Sequence, residues 1–361
     1  MSRVEQNLQK MINEGPQKAG LVLQQLTQDA PKDYIIPSTG VSFDSNDNGV
    51  VMSAQNGGDQ PMIFSMHNHA IGQAADKIGL PRKYISRLYE KGEQWAYDLL
   101  AHNLREQYAH RDPSRFMLRT VRDEVRGFMS DRYLRLDSGL LLESFLNATK
   151  EVGAVPTKGY YYDTKYYLKM SIPKIFMPVD GDPVVFGMYI RDSMFGDGPA
   201  ACGIQIDRLI CINGMLGEDT IKKVHLGSRV SEDVEISEKT YKLDSAALAS
   251  AITDTVRGVL SEKSIDMRCE AIKDANERGI DVKEALESLR KGSKITKGEM
   301  ANITDVFNFG GVEELPPGNT MWRLSNAIST FSKSVEGPRA MELEALAGNL
   351  AGLDKGNKDD N

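Results

Sequence analysis

The segment KGYYYDTKYYLKMSIP (158–173) contains the strongest strand signal in the chain and decides the fold class. Aromatic residues favour strands, and successive side chains of a strand point to opposite faces of the sheet. If the segment is a single strand, one face carries residues suited to a core, namely Tyr160, Tyr162, Thr164, Tyr166, Leu168 and Met170. The opposite face alternates rings and charges, with Tyr161, Asp163, Lys165, Tyr167 and Lys169.

The ring-and-lysine face, together with the preceding Lys158, predicts a platform for single-stranded nucleic acid. Bases stack on aromatic rings whatever the base sequence, and ammonium groups contact the phosphates. The alternative is an ordinary half-exposed strand, because tyrosine favours strands and both residue types are common there.

Further strands surround this segment in the middle of the chain, roughly residues 115–236. FMLRTV (116–121) and EVRGFMSD (124–131) predict a hairpin that turns at Arg122-Asp123, and two more strands are expected at 184–192 and 202–214. A helix is predicted over 140–152, between the hairpin and the later strands. Asp137 or Ser138 can be its N-cap, and Gly153 follows its end.

The two ends of the chain read mainly as helices. The first part predicts helices over 1–30, 68–78 and 81–108, with two short strands near 40–43 and 49–53. From Asp244 the apolar residues recur with helical period, including Leu248, Ile252 and Val256. Four shorter helices are expected at about 282–290, 297–308, 320–334 and 338–351.

This order of elements predicts an α+β fold with a central, mostly antiparallel sheet, flanking helices and a helical C-terminal part. Four regions are expected: residues 1–64 with a helix and short strands, 65–243 as the α+β core, 244–352 as the helical region, and 353–361 as a flexible tail.

Composition restricts the classes of function. The formal net charge is −7, so any nucleic-acid site must be a local basic patch. The three cysteines, Cys202, Cys211 and Cys269, have no CxxC spacing and fit a reducing compartment. We find neither a secretion signal nor an apolar run long enough to span a membrane, so a cytoplasmic protein is expected.

One local basic patch lies just before the tyrosine-rich segment. Residues 111–135 contain seven arginines against four acidic residues, a local excess of three positive charges. The planar guanidinium group of arginine forms bidentate hydrogen bonds to phosphate and stacks on bases. The patch therefore predicts a phosphate-binding rim, with Tyr133 as a stacking partner. The alternative is a set of surface arginines that pair with their acidic neighbours. The residues assigned to the rim are Arg119, Arg122, Arg126, Arg132 and Arg135.

Other motifs give competing interpretations. IGQAADKIGLPRKYISRLYEKG (71–92) fits two helices joined by a tight turn, as in a helix-turn-helix that reads duplex DNA.

His67 and His69 could be metal ligands, and Cys211 with His225 could form a nucleophilic pair, although structural histidines and a buried cysteine explain the same residues. The glycines fit neither a phosphate loop nor a dinucleotide loop. No cofactor, metal or catalytic residue is therefore assigned.

Several segments resemble, in order, a phage- and plasmid-encoded family known as "domain of unknown function 932". They are IGLPRKYISRLYEKG (78–92), LLAHNLRE (99–106), RTVRDEVRGFMSDRYLRLDSGLLLESF (119–145), RLICINGM (208–215), HLGSR (225–229) and TMWRLSNAISTFSKSV (320–335). The resemblance covers roughly residues 65–335. It implies a mobile-element setting beside replication and recombination functions, with a remote similarity to single-strand annealing proteins, and it supplies no catalytic residue.

Together these observations predict an accessory protein that binds single-stranded DNA and anneals or protects it, in the manner of annealing proteins that assemble as homo-oligomers. The alternative is an interaction protein with a protein partner, such as a host-defence component, which the acidic charge and the helical C-terminal half favour. A third possibility is an enzyme that uses His67 and His69, or Cys211 and His225.

Overall fold

The computed structural model describes residues 2–57, 60–223, 237–310 and 314–354. Over these ranges the chain forms eleven α-helices and two mostly antiparallel sheets, so the predicted α+β fold with a helical C-terminal part is confirmed. None of the helices in the described ranges has both the length and the apolar composition that a membrane span requires.

The helices are α1 (Arg3–Gln28), α2 (Asn68–Asp76), α3 (Arg82–Tyr89), α4 (Gln94–Ala109), α5 (Ser138–Glu151), α6 (Glu238–Val259), α7 (Glu262–Glu277), α8 (Val282–Lys291), α9 (Lys297–Phe309), α10 (Met321–Ser332) and α11 (Pro338–Leu350). The strands are β1 (Lys32–Pro37), β2 (Val41–Asn46), β3 (Gly49–Ala54), β4 (Met62–Met66), β5 (Arg115–Val121), β6 (Glu124–Ser130), β7 (Val155–Tyr161), β8 (Tyr166–Ser171), β9 (Phe176–Val179), β10 (Asp182–Asp192), β11 (Ala200–Arg208) and β12 (Asn213–Lys223).

The N-terminal sheet has the strand order β1-β5-β6-β4-β3-β2, and only the β4–β6 pair is parallel. Its core is an aromatic cluster beneath α2, α3 and α4 that includes Phe43, Tyr108, Phe116 and Phe128. The hairpin predicted over 116–131 is present as β5 and β6. Arg122 occupies its turn with φ +54°.

The C-terminal sheet has the strand order β12-β11-β10-β8-β7, and β9 pairs separately with β10. One face is apolar and packs in the main core, where Leu168, Met188 and Ile204 lie with residues of α1, α5 and α6. The other face carries polar side chains, and α10 and α11 pack on it. Strand register places Tyr167 with Arg191, and Lys169 with Tyr189, on this polar face.

The segment 158–173 is a hairpin rather than the single strand that we expected. Tyr162 and Lys165 exchange backbone hydrogen bonds of 2.8 and 3.2 Å and close a turn between β7 and β8. The turn interrupts the alternation of faces, so Tyr160 pairs with Tyr167 on the polar face and Tyr161 pairs with Tyr166 on the apolar face. The core placement of Tyr166, Leu168 and Met170 is confirmed, whereas the core placement of Tyr160 is wrong.

Helix α1 lies directly on β7 because two glycines let the backbones approach. A Cβ atom on Gly15 would lie 1.7 Å from the Pro156 carbonyl oxygen, and one on Gly159 would lie 2.8 Å from the Lys18 carbonyl oxygen. The helix begins with a capping box formed by Ser2 and Glu5. The first helix of the sequence therefore covers the edge of the C-terminal sheet.

Other boundaries differ from the sequence expectations. The helix expected over 81–108 is two helices, α3 and α4, with Gly92 in the left-handed region between them. The strand expected over 202–214 is instead an antiparallel hairpin of β11 and β12, with Ile212 at φ +52° in the turn just before β12. The expected division between residues 64 and 65 falls within β4, and Leu353 of the expected tail is buried. Helix α7 was not predicted.

Candidate functional site

Arg119 joins the two sheets. Its side chain is only 7 % exposed. Its Nε donates to Asp33 of β1 at 2.7 Å, and its Nη1 donates to the Met194 carbonyl oxygen at 2.7 Å. Met194 follows β10 of the C-terminal sheet, so this guanidinium group connects both halves of the fold and already donates two hydrogen bonds.

Arg126 and Tyr161 converge on one carboxylate at the C-cap of α1. Asp29 accepts hydrogen bonds from Arg126 at 2.7 Å and from the Tyr161 hydroxyl at 3.1 Å. Arg126 also pairs with Glu124 at 2.8 Å. Burial alone would raise the pKa of Asp29, but the hydrogen bonds from Gln25, Arg126 and Tyr161 hold that pKa below its usual value. The predicted stacking ring Tyr161 is thus part of an internal network.

Arg135 completes this group. It pairs with Asp33 at 3.2 Å and with Glu238 of α6, and its guanidinium lies 4.3 Å from the centroid of the Tyr241 ring. We call Arg119, Arg126 and Arg135 the junction arginines, because each connects the N-terminal sheet or its flanking loop to another part of the fold. Their positive charges are neutralised by acidic partners.

The remaining members of the expected rim do not form a common surface with the junction arginines. Arg122 is exposed at the tip of the β5–β6 hairpin, and Arg132 is half-buried in the turn after β6. Tyr133 is buried and its hydroxyl donates to the Ser193 carbonyl oxygen at 3.4 Å, so it does not offer a ring for stacking. The expected rim of free arginines is therefore wrong, because most of these side chains maintain the fold.

The expected outward face of β8 is also wrong, since α11 covers it. Tyr167 and Lys169 are only 2 % and 1 % exposed. Lys169 donates to Glu344 of α11 at 2.8 Å, and burial lowers the pKa of Lys169 although Glu344 opposes this shift. Lys158, its neighbour across the strands, lies 3.6 Å from Asp207. Burial lowers the pKa of Lys158, but Asp207 and Glu344 outweigh that effect and raise it.

A continuous groove runs between this polar face and α11, and we call it the tyrosine groove. It consists of two cavities of about 410 and 640 Å³ that share Tyr162, Tyr167 and Met341. Four rings follow one another along it: the centroids are 6.5 Å apart for Tyr162 and Tyr160, 6.3 Å for Tyr160 and Tyr167, and 5.8 Å for Tyr167 and Tyr189. Tyr160 is 47 % exposed, so part of this row reaches solvent.

The cations of the tyrosine groove are held by acidic residues. Lys165 pairs with Asp197 at 2.8 Å, and Arg191 pairs with Asp219 at 2.6 Å. Lys333, which lines the larger cavity, donates to the Cys211 carbonyl oxygen. The groove therefore offers aromatic surface and hydrogen-bonding groups but little excess positive charge.

The structure brings together part of the site predicted from the sequence. Lys158, Lys165 and Tyr167 line the groove, and Lys169 lies beneath it. Tyr161 and the junction arginines lie elsewhere. The alternation of residues along the sequence favours core positions for the groove residues Tyr160 and Tyr162, and it gives no sign of Tyr189 or Arg191 at the site. The polar pair Asp163-Thr164 was the available signal of a turn. A turn at this position changes which tyrosines lie on the same face of the sheet.

The histidine and cysteine candidates have structural surroundings. The ring of His67 accepts from the His69 backbone at 3.2 Å at the start of α2, and the His69 ring lies 3.1 Å from the Phe195 carbonyl oxygen. Cys211 is buried, and His225 lies outside the described residues. Across the ranges that the structure describes, no three His, Cys, Asp or Glu side chains are grouped to hold a metal ion.

The helix-turn-helix candidate does contain two short helices, α2 and α3. Ile85 and Leu88 are buried, while Lys83 and Arg87 lie on the exposed side of α3. Contact of this helix with duplex DNA stays a prediction.

Comparison with known proteins adds no assignment. No protein-family model matches the chain, and no curated protein and no solved structure matches it. The geometry of the tyrosine groove and the sequence are therefore the basis for assigning a function.

Proposed function

We propose that this chain binds single-stranded DNA in the tyrosine groove. The observation that carries the proposal is the row of four tyrosine rings, Tyr162, Tyr160, Tyr167 and Tyr189, beside lysine side chains. Stacking on such rings tolerates any base, and it is the mode by which many proteins bind single strands. An accessory role in annealing or protecting strands of a phage or plasmid rests on the sequence resemblance alone.

The charges of the groove set the expected salt dependence. Two lysines, Lys158 and Lys333, border the larger cavity. Two phosphate contacts give a slope of log K against log salt of about −1.4 for a single strand, whereas five rim arginines would give about −3.5. Stacking rather than counterion release should therefore supply most of the binding free energy.

A labelled oligothymidine tests the proposal by fluorescence anisotropy over a salt series. Replacing Tyr160 or Tyr162 by alanine should weaken binding by about 5- to 150-fold, the range found when one stacking ring is removed. Tyr84→Ala is the matched control, because Tyr84 is similarly exposed (41 %) but lies on α3. Undetectable binding at low salt, or equal losses in all three variants, would refute the proposal.

A protein partner is the second candidate, and the paired charges favour it. The cations Lys165, Lys169 and Arg191 already have carboxylate partners, so an uncharged peptide segment would not need to displace those acids. Such binding would show almost no salt slope and would survive nuclease treatment of a host lysate. Loss of the captured partner in Tyr160→Ala but not in Tyr84→Ala would place it in the groove.

A further inference from the structure

The larger cavity of the tyrosine groove has the dimensions of a small-ligand site. Its volume is about 640 Å³, within the range of about 300–1,000 Å³ found for ligand pockets. It lies between the β7–β8 hairpin and the connection from α10 to α11. Its lining includes Lys158, Tyr160, Tyr162, Tyr167, Ala340 and Glu344.

One buried hydroxyl in this lining has no hydrogen-bond partner among the described residues. Tyr167 is only 2 % exposed, and its hydroxyl oxygen is unpaired in the part of the chain that the structure describes. A buried hydroxyl without a partner destabilises the fold, so such groups are rare unless a ligand or water satisfies them. Tyr167 is among the residues that line the cavity, so a base seated there places its hydrogen-bonding edge beside this residue.

The adjacent cation is paired with its acid at a longer distance. Lys158 Nζ lies 3.6 Å from Asp207 Oδ1, farther than the roughly 2.7–2.9 Å of an ammonium–carboxylate hydrogen bond. Among the residues that the structure describes, Asp207 Oδ1 has no hydrogen-bond partner within bonding distance. Lys169, by contrast, reaches Glu344 at 2.8 Å. An anionic group that enters the cavity would therefore find Lys158 available for a closer contact.

The geometry points to a site for one nucleotide: we propose that the cavity takes a planar base against Tyr160 and Tyr162, a hydrogen bond from that base to the Tyr167 hydroxyl, and the attached phosphate at Lys158. This inference rests on the proposed function and adds that a single nucleotide, without the rest of a strand, is recognised. The required ligand is a heteroaromatic ring that carries an anionic group.

Isothermal titration of the full chain with dAMP, deoxyadenosine and inorganic phosphate tests the site. We expect dAMP to bind, and to bind more tightly than either of its parts. Tyr167→Phe should weaken dAMP binding by about five- to tenfold through loss of one hydrogen bond. The melting temperature of Tyr167→Phe should be unchanged or higher, because the substitution removes an unpaired buried hydroxyl.

Two further variants separate a ligand contact from a structural effect. Tyr133→Phe removes the hydroxyl of another buried tyrosine, which is already bonded to Ser193, and should leave dAMP binding unchanged. Ala340→Phe should fill the cavity from α11 and abolish dAMP binding. Binding of dAMP that is indifferent to both Tyr167→Phe and Ala340→Phe would overturn the proposed site, as would the absence of dAMP binding.

These outcomes are distinguishable from failure of the proposed function. If dAMP binds but an oligothymidine binds no more tightly than dTMP, the nucleotide site stands and strand binding fails. If the oligonucleotide binds, loses affinity in Tyr160→Ala, and dAMP does not bind, strand binding stands and the nucleotide site fails.

Discussion

The junction arginines and the lysines of the tyrosine groove are both partly or fully buried cations, but their surroundings differ. Arg119 donates at 2.7 Å to acceptors on β1 and in the loop after β10, and it borders a smaller cavity of about 340 Å³. Lys158 lies 3.6 Å from its nearest acid and borders a cavity of about 640 Å³. Closely paired buried charges connect parts of a fold, whereas a charge paired at a longer distance beside a large cavity is available to a ligand.

The largest expected effect comes from breaking a junction pair. Arg119→Met leaves Asp33 paired with Arg135 at 3.2 Å, so the cost should lie near the lower end of the roughly 3–5 kcal/mol for breaking a buried ion pair. Urea denaturation should show this loss in the free energy of unfolding. Arg122→Ala at the exposed hairpin tip should change it by less than about 0.5 kcal/mol. A loss below about 1 kcal/mol for Arg119→Met would mean that Arg119 does not join the sheets.

The next effect concerns the contact that holds α11 over the groove. A Cβ atom on Gly348 would lie 1.9 Å from the Leu216 carbonyl oxygen, so Gly348→Ala must displace α11 from β12. Such overpacking costs about 1–3 kcal/mol. Gly20→Ala is the control, because Gly20 lies within α1 with open space around it and alanine should stabilise a helix there by up to about 1 kcal/mol. Equal stability changes in the two variants would contradict a close α11–β12 contact.

A pH-dependent effect is expected where α11 is tied to α9. Hydrogen bonds from Arg339 lower the pKa of Glu299 from 4.5 to about 2. Because this pKa is lower in the folded state, the stabilisation is complete above pH 4.5 and is lost as pH falls towards 2. Arg339→Met should remove about 1–2 kcal/mol at pH 6, allowing for solvent screening, and almost nothing at pH 2. Urea titrations at both pH values measure the difference, and a penalty that does not change with pH would disprove the assignment.

The sequence was sufficient for most elements but not for the faces of the tyrosine-rich segment. Apolar periodicity and turn residues correctly predicted the β5–β6 hairpin and the C-terminal helices other than α7, because those signals are local. The turn at Asp163-Thr164 reverses which tyrosines share a face, and no periodicity within a 16-residue segment distinguishes one strand from two short ones.

The candidate site depended on long-range pairing that the sequence does not show. Lys169 meets Glu344, Arg126 meets Asp29, and Arg119 meets Asp33, so in each pair the partners are far apart in the chain. A count of local charges over 111–135 could not include those distant carboxylates. The predicted residue types were suitable for a nucleic-acid site, but their neutralisation became visible only with the tertiary structure.

The smallest expected effect on stability concerns Arg122, which is the most exposed of the five arginines assigned to the rim. Its φ of +54° lies in the left-handed region, where a non-glycine side chain is strained by about 1–2 kcal/mol. Arg122→Gly relieves that strain but increases the entropy of the unfolded chain, so a net gain of about 0.5 kcal/mol is expected. Arg122→Ala retains the strain and should show no such gain.

If only the groove binds DNA, both variants should retain the oligonucleotide affinity of the unmodified chain. If Arg122 contacts phosphate, both should instead reduce the salt slope by about 0.7, and the rim would then contribute alongside the groove.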